Sequence, residues 1–239
     1  YPNEKVAVTG FNLGEVQVLP GLTDPKVFAQ NPLTVLKQRT DFTKIVTILF
    51  QTNDPLLKNR SLRQALSYQA PQITGEETAD NPYPQSFWAY NSDSKKYLSN
   101  PGEAQAALER AKSSLSDDQL HAELFLTTTP NLEDAGKSIV ASWKDLGFDS
   151  KLRVESGMPQ NFQALLITQS IPIDPDQYFL WHATQTKTNL SKYDSKRVDK
   201  DLEDGRKVIK EEERKEKYYD FQKTLLEDAP AAFLYFPKY

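Results

Sequence analysis

The stretch between residues 123 and 155 restricts the possible folds more than any other part of the sequence. Glu123 to Thr129 and Lys151 to Glu155 are both β-rich, and the pattern between them is that of a helix capped by Asn131 and closed by Gly147. The inward apolar positions of this helix are Leu132, Ala135, Ile139, Trp143 and Leu146. Two strands joined by one helix form a parallel pair with a right-handed crossover. The sequence therefore predicts a βαβ unit in which these two strands are parallel.

The rest of the pattern adds strands and helices around this unit. Short apolar runs predict further strands at Val16 to Val18, Thr34 to Thr40, Ile45 to Phe50, Phe162 to Thr168 and Ala231 to Phe236. Helices are predicted at Glu4 to Leu13, Ser61 to Gln69, from Asn100 onward, and at Asp194 to Ile209 and Glu211 to Glu227. We expect residues 1–239 to form a single α/β domain, a mixed β-sheet flanked by helices.

Composition excludes several classes of partner. The chain has 239 residues, 29 Lys and Arg against 33 Asp and Glu, and a net charge of −4. Surfaces that bind nucleic acid or anionic lipid need an excess of Lys and Arg, so neither partner is expected. No apolar run approaches the roughly 18 residues that span a membrane.

The residue types needed for common active sites are sparse. There is no cysteine, which excludes disulfides, thiolate metal sites and cysteine nucleophiles, and there are two histidines, His121 and His182. No nucleophile-elbow, dinucleotide or phosphate-loop motif is present. The sequence therefore predicts no metal, no cofactor and no catalytic residues. A carboxylate pair at Asp174 and Asp176 leaves a glycosidase as a minor alternative to a binding protein.

The segment from residue 170 to 189 concentrates the side chains that binding needs. Acids, aromatics, amides and an imidazole crowd it, a mixture typical of ligand pockets. The candidate ligand-binding residues are Asp174, Asp176, Tyr178, Trp181, His182, Gln185 and Asn189. We expect this segment to line a solvent-open face, with at least one of Trp181, His182 and Gln185 exposed. The alternative is that Tyr178 and Trp181 pack into the core on one helical face.

Five segments along the chain follow one another in an order that is informative: Phe11 to Val18, Leu49 to Tyr68, Ser86 to Ala104, Asp174 to Phe179 and Asn189 to Pro230. No single segment is diagnostic, but together they extend over nearly the whole chain. In this order they resemble the bacterial extracellular solute-binding proteins of the dipeptide and oligopeptide family, which serve ABC importers.

The resemblance implies a two-lobed clamp that closes on its ligand, with this chain as the second lobe. The implied partners are a peptide or related small solute, the permease subunits of the importer, and the missing first lobe. The implied location is the extracellular face of the membrane or the periplasm, with a lipid anchor that this chain does not contain. Because the sequence starts at Tyr1 and ends on an apolar strand, we expect a piece cut from a longer protein.

One position departs from the family pattern in a way that matters for ligand choice. Family members carry an Asp three residues before the Asp-Pro pair, where it neutralises the amino terminus of a peptide. Ile171 stands at that position in this sequence. Asp174, Asp176 or Glu133 are possible substitutes, and a ligand without a free amine is the other possibility. A surface interaction or receptor domain that no longer serves uptake remains the alternative function.

Overall fold

The computed structural model describes residues 1–22, 28 and 31–239, and a mixed β-sheet forms its centre. The strands are β1 (Lys44–Phe50), β2 (Glu77–Thr78), β3 (Leu124–Thr128), β4 (Ser150–Val154), β5 (Ala164–Ser170) and β6 (Ala231–Phe236). The helices are α1 (Glu4–Asn12), α2 (Arg60–Gln69), α3 (Pro101–Lys112), α4 (Asp117–Leu120), α5 (Glu133–Asp145), α6 (Tyr178–Trp181), α7 (Lys196–Lys207) and α8 (Glu211–Asp228).

The sheet has the order β2-β6-β1-β5-β3-β4 and contains both strand directions. β3 and β4 are parallel, in register from Leu124 opposite Ser150 to Thr128 opposite Val154, and β3 is also parallel to β5. β1 is antiparallel to both of its neighbours, β5 and β6. The predicted parallel unit and the predicted α/β fold class are therefore confirmed.

Alternation along the strands builds one apolar core on each face of the sheet. In β1, Val46, Ile48 and Phe50 face the core that includes α2, α3 and α5. Ile45 and Leu49 face the other core, which includes α6, α7 and α8. No described residue before Ile45 belongs to either core. The described residues among the first 40 therefore lie outside the apolar packing that holds the sheet together.

Three sequence-based predictions at the level of local structure are wrong. Residues 16–18 form no strand, and residues 34–40 contribute only an isolated bridge from Thr40 to Lys238. Val18 and Val35 are exposed, and within the described residues no strand pairs with the chain at either of these two positions. Asn131 does not cap α5, since a 3₁₀ turn over Pro130–Leu132 intervenes and α5 begins without a side-chain cap.

Arg63 is a buried cation that joins opposite faces of the sheet. Its guanidinium donates to the carbonyls of Leu57 (2.7 Å), Lys58 (3.1 Å), Asp228 (2.5 Å) and Ala229 (3.0 Å). The planar fork of an arginine carries five N–H donors, so it can serve several carbonyls together. Burial lowers the pKa of Arg63 to about 10. This contact ties α2 to the turn between α8 and β6.

Replacing Arg63 tests how much this junction contributes to stability. Arg63→Met leaves four carbonyl oxygens without their donor, so we expect the free energy of unfolding to fall by about 3 kcal/mol. Arg63→Lys recovers only part of this loss, because one ammonium does not span all four acceptors. Urea denaturation measures both. The control is Arg60→Met on the same helix, where an exposed ion pair with Asp228 is removed; a similar loss in that variant contradicts the account.

Asp201 on α7 is a half-buried acid in an unfavourable place. Its Oδ2 atom is buried, with no hydrogen-bond partner among the described residues. Burial, and then the carboxylate of Asp220 on α8, raise the pKa of Asp201 to about 6. A folded-state pKa above the unfolded value means that the native state binds the proton more tightly. Stability therefore falls as the pH rises from about 4 through about 6 and stays low above that range.

Asp201→Asn removes this pH dependence while keeping the size of the side chain. At about pH 7.5 we expect the variant to be more stable by about 1 kcal/mol, a value reduced for the partial exposure of the carboxyl. The gain disappears near pH 4, where the wild-type carboxyl is protonated. Thermal unfolding across pH measures the difference. Asp204→Asn, which removes ion pairs with Lys200 and Lys207, is the control and gives no stabilisation; an equal gain at pH 4 refutes the explanation.

Candidate functional site

The chain enters and leaves the sheet side by side. The backbone amide and carbonyl of Arg39 exchange hydrogen bonds with those of Tyr239 (3.1 and 3.0 Å), and Asp41 N donates to Pro237 O (2.7 Å). Residues 39–41 lead into β1, and residues 237–239 follow β6. We call this the crossing end of the sheet, and the end that carries Phe50 the opposite end.

The crossing end is also where β3, β4 and β5 finish. Ser170, the last residue of β5, lies opposite Lys44 at the start of β1. β3 stops earlier, because its Thr127 pairs with Leu165 and only one more residue of β3 follows. The sheet therefore ends in a step, with β5 and β1 projecting beyond β3 and β4. Loops that leave such a step can line a concave surface.

Acidic side chains at this step are held by cations of the same chain. Asp41 accepts from the backbone and hydroxyl of Thr43 and pairs with Lys44 at 3.1 Å. Burial works against these contacts, but the hydrogen bonds from Thr43 and Lys44 hold the pKa of Asp41 below its usual range. Glu133, at the start of α5, pairs with Lys137 at 2.8 Å.

The segment that follows β5, residues 171–191, crosses one face of the sheet from end to end, and we call it the crossing segment. Ile171 N donates to Thr43 O (2.7 Å) at the crossing end, and Thr52 N donates to Ser191 O (2.9 Å) at the opposite end. The seven candidate residues are spread along this path. The structure therefore does not bring them together in one cleft.

Asp174 and Asp176 lie at the beginning of the path, and each binds an arginine. Asp174 receives two hydrogen bonds from Arg214, Nη1 to Oδ2 at 2.7 Å and Nη2 to Oδ1 at 2.6 Å. Asp176 Oδ2 accepts from Arg206 Nε at 2.7 Å. The hydrogen bonds from Arg214 lower the pKa of Asp174, so the carboxylate is ionised. Both acids are therefore bound to arginines that α7 and α8 supply.

Tyr178 and His182 form a stacked pair beside these acids. Their ring centroids are 4.0 Å apart. The guanidinium carbon Cζ of Arg206 lies 3.8 Å from the centroid of the Tyr178 ring. His182 is buried, and its Nδ1 accepts from Thr184 N at 3.2 Å. Its Nε2 therefore carries the hydrogen and donates to Glu203 Oε1 at 3.2 Å.

Trp181 and Asn189 are buried in the interior of the protein, whereas Gln185 is partly exposed to solvent. Trp181 is 1% exposed, and its indole donates to Gln177 Oε1 at 2.7 Å. Asn189 is 2% exposed and donates to the carbonyls of Trp181 and Tyr193. Gln185 is half-buried.

Of the three residues among which at least one was expected to be exposed, Trp181 and His182 are buried and Gln185 is half-buried, so none is fully exposed and only Gln185 reaches solvent. The physical reason is that the Trp181 ring packs edge-on against Phe233 in the core that includes α6, α7 and α8, while His182 Nδ1 accepts a hydrogen bond from the backbone of Thr184. For Trp181 the alternative of core packing is confirmed, whereas Tyr178 is half-buried. Ligand contact by the seven residues stays a prediction.

Sequence reasoning missed an apolar groove in the first 40 residues. It has a volume of about 700 Å³ and includes Phe11, Val18, Leu33, Val35 and Tyr239 in its lining. Leu33 is 93% exposed and Val35 is 81% exposed. The apolar residues Leu33, Val35 and Leu36 carry the signal for it in the sequence, and most of this run falls within the strand predicted at residues 34–40. The groove lies next to the crossing end, because Arg39 and Tyr239 belong to both.

The described residues contain no cluster of three or more His, Cys, Asp or Glu side chains that is arranged to hold a metal ion. None of their helices combines the length and the apolar character that a membrane span requires.

Comparison with known proteins places this fold among solute-binding proteins. The family profile for bacterial extracellular solute-binding proteins, family 5 Middle, matches residues 1–191. The oligopeptide-binding protein AppA of Bacillus subtilis (strain 168) is 28% identical over 116 residues, which are 44% of this chain and 21% of that protein.

Solved structures agree in fold over the whole chain. The AppA structure from Bacillus subtilis, in complex with a nonapeptide, has a TM-score of 0.79 at 24% identity and is matched over 100% of this chain and 53% of its own. NikZ from Campylobacter jejuni, in complex with Ni(L-His), has a TM-score of 0.81 at 21% identity, with coverage of 99% and 53%. The chain thus spans about half the length of these structures and has the fold of a periplasmic-binding-protein-like lobe.

Asn189 gives a direct test of the internal role of the crossing segment. Asn189→Ala removes the amide that bridges buried carbonyls, so we expect the free energy of unfolding to fall by about 2 kcal/mol. Gln185→Ala, a half-buried neighbour, is the matched control and changes it by about 0.5 kcal/mol or less. Chemical denaturation measures both variants. Equal stability of the two contradicts the assignment of Asn189 to the interior framework.

Proposed function

Because the chain belongs to the bacterial extracellular solute-binding proteins of family 5, as its match over residues 1–191 shows, we propose that it is one lobe of a substrate-binding protein serving an ABC importer. Members of this family bind solutes and are not enzymes. The lobe takes part in binding a peptide or a related small solute outside the cell. The whole protein then delivers that ligand to the permease subunits in the membrane.

The crossing end is the observation that carries this proposal. The chain passes in and out of the sheet there through paired backbones, Arg39 to Asp41 beside Pro237 to Tyr239. A ligand surface at this place lies next to the two connections that would join a first lobe. Such an arrangement lets two rigid bodies close on a ligand with only two short segments changing conformation.

The first 40 residues support a missing first lobe as the partner. Those that the structure describes lie outside both cores, and the groove that they line exposes Leu33 and Val35 almost fully. Contiguous exposed apolar surface marks a contact that is not satisfied within the chain. We assign these residues to the second lobe's boundary, where they pack against the first lobe. The lipid anchor and the location outside the cell belong to the same proposal.

The relatives support a peptide as the first ligand class and a small chelate as the second. AppA was solved with a nonapeptide and NikZ with Ni(L-His). The present lobe has no described metal-binding cluster of its own, so a peptide is the better-supported ligand.

The internal pairing of the crossing segment favours a second candidate function. Asp174 and Asp176 are bound to arginines, and His182 is buried. A lobe with these groups already satisfied also suits a surface interaction or receptor domain that has lost solute uptake. Ligand that co-purifies with the intact protein supports transport, and its consistent absence supports the receptor.

Binding by the isolated 239-residue chain tests the two-lobe account. A clamp buries its ligand between two surfaces, so one lobe offers about half of the contacts. Halving a micromolar binding free energy of about −8 kcal/mol leaves a dissociation constant in the millimolar range. Titration calorimetry with a random peptide pool compares the isolated chain with the intact protein. Micromolar binding by the isolated chain contradicts the account and indicates a self-contained pocket.

A further inference from the structure

A small hollow lies where the crossing segment meets the junction of α7 and α8. Ile173 belongs to the crossing segment, Ile209 lies between α7 and α8, and Glu211 begins α8. The hollow has a volume of about 260 Å³, and its lining comprises Trp88, Ile173, Asp174, Ile209, Glu211 and Arg214.

This hollow belongs to the crossing end of the sheet. Ile173 lies two residues after Ile171, whose amide donates to Thr43 O at that end (2.7 Å). α8 finishes just before β6, which starts at the opposite end. With 18 residues α8 is about 27 Å long, whereas the six residues of β6 extend over about 20 Å. The first turns of α8 therefore reach back to the crossing end, where Arg214 binds Asp174.

The two isoleucines of the hollow are almost fully exposed. Ile173 is 92% exposed and Ile209 is 96% exposed. Single apolar side chains scattered on a surface are normal, but these two line one cavity together with the ring of Trp88. A partner that enters the hollow removes both isoleucines from water, which favours the contact.

The charges around the hollow leave one carboxylate uncompensated. Arg214 forms a bidentate pair with Asp174. Lys210 pairs with Glu213 at 3.0 Å. Glu211 has no ion pair and no side-chain hydrogen bond among the described residues. The hollow therefore presents two apolar side chains beside one free negative charge.

These features favour one kind of occupant. The volume of about 260 Å³ is smaller than the roughly 300–1,000 Å³ of small-molecule pockets, so it suits a side chain better than a separate ligand. A second copy seated through the same hollow sets Glu211 against its own counterpart, and like charges across an interface are unfavourable. In the proposed function, the first lobe is the body that closes on this end of the sheet.

We propose that the hollow is a closure contact for the first lobe. A segment of that lobe inserts an apolar side chain between Ile173 and Ile209 and places a Lys or Arg against Glu211. The inference rests on the proposed function and deepens it. Ligand brings the lobes together, and this contact then stabilises the closed form, so affinity depends on a side chain that does not touch the ligand.

Substitution of Ile209 in the intact solute-binding protein that contains this chain tests the apolar contact. Calorimetry compares two pools of random nonapeptides, one rich in Leu and Phe and one rich in Ser and Asn. Ile209→Ser removes the apolar wall, so we expect both pools to bind more weakly by the same factor, about tenfold. Ile209→Leu keeps the wall and stays within about twofold of the unsubstituted protein.

Leu98→Ser is the matched control. Leu98 is also exposed, and its neighbour Tyr97 donates to Leu226 O near the opposite end of the sheet, so both pools keep their affinity. Thermal unfolding without ligand compares the folded states. A large loss of stability in Ile209→Ser overturns the inference, because the side chain then packs within its own lobe.

The pattern over the two pools separates the remaining explanations. Weakening confined to the pool rich in Leu and Phe means that Ile209 touches the ligand, which overturns the inference and leaves the proposed function intact. Unchanged binding of both pools by Ile209→Ser overturns it as well. If the unsubstituted protein binds neither pool, the proposed function fails and the inference fails with it.

Glu211→Gln tests the charged part of the contact. In about 20 mM salt we expect this variant to bind both pools about threefold more weakly, and the difference disappears near about 0.5 M salt, where exposed charges are screened. Glu212→Gln, at the next position of α8, is the matched control and keeps its affinity. Equal affinities of Glu211→Gln and the unsubstituted protein in low salt overturn the proposed contact with a cation.

Discussion

The guanidinium of Arg63 is the contact on which the rest of the architecture depends. It holds the carbonyls of Asp228 and Ala229 immediately before β6, and Phe50 N then donates to Pro230 O. β6 is thereby placed beside β1 at the opposite end of the sheet. Because the two strands are antiparallel, this placement also carries the end of β6 to the start of β1. The side-by-side crossing at residues 39–41 and 237–239 follows from it.

In the proposed function, that crossing determines which end of the sheet faces the ligand. β5 and β1 project beyond β3 and β4, so the loops that leave the sheet there surround a step. The segment after β5 begins at this step and ends beside Thr52 at the far side. In the proposed function, its first part, which includes Asp174 and Asp176, is the part that meets a ligand at the crossing end. Its later part, which includes Trp181 and Asn189, forms the framework that supports the first.

The sequence predicted the elements whose causes are local and missed those whose causes are distant. Periodic apolar residues and Gly147, which has a positive φ of 103°, are enough to identify α5 and its end. The βαβ unit follows from them, and spaced motifs identified the family. The pair between Asp174 and Arg214 spans 40 positions in the chain, so no local pattern reveals it. Residues 16–18 have strand character, but a strand also needs a partner, which local sequence does not supply.

The central claim is that the crossing end is the ligand surface and that the opposite end is framework. Hydrogen exchange of the intact protein, with and without a saturating nonapeptide pool, tests it most directly. The account predicts that ligand slows exchange of backbone amides in residues 170–176 and 128–131, while residues 189–193 keep their rates. Protection that appears at residues 189–193 and leaves 170–176 unchanged would contradict the account.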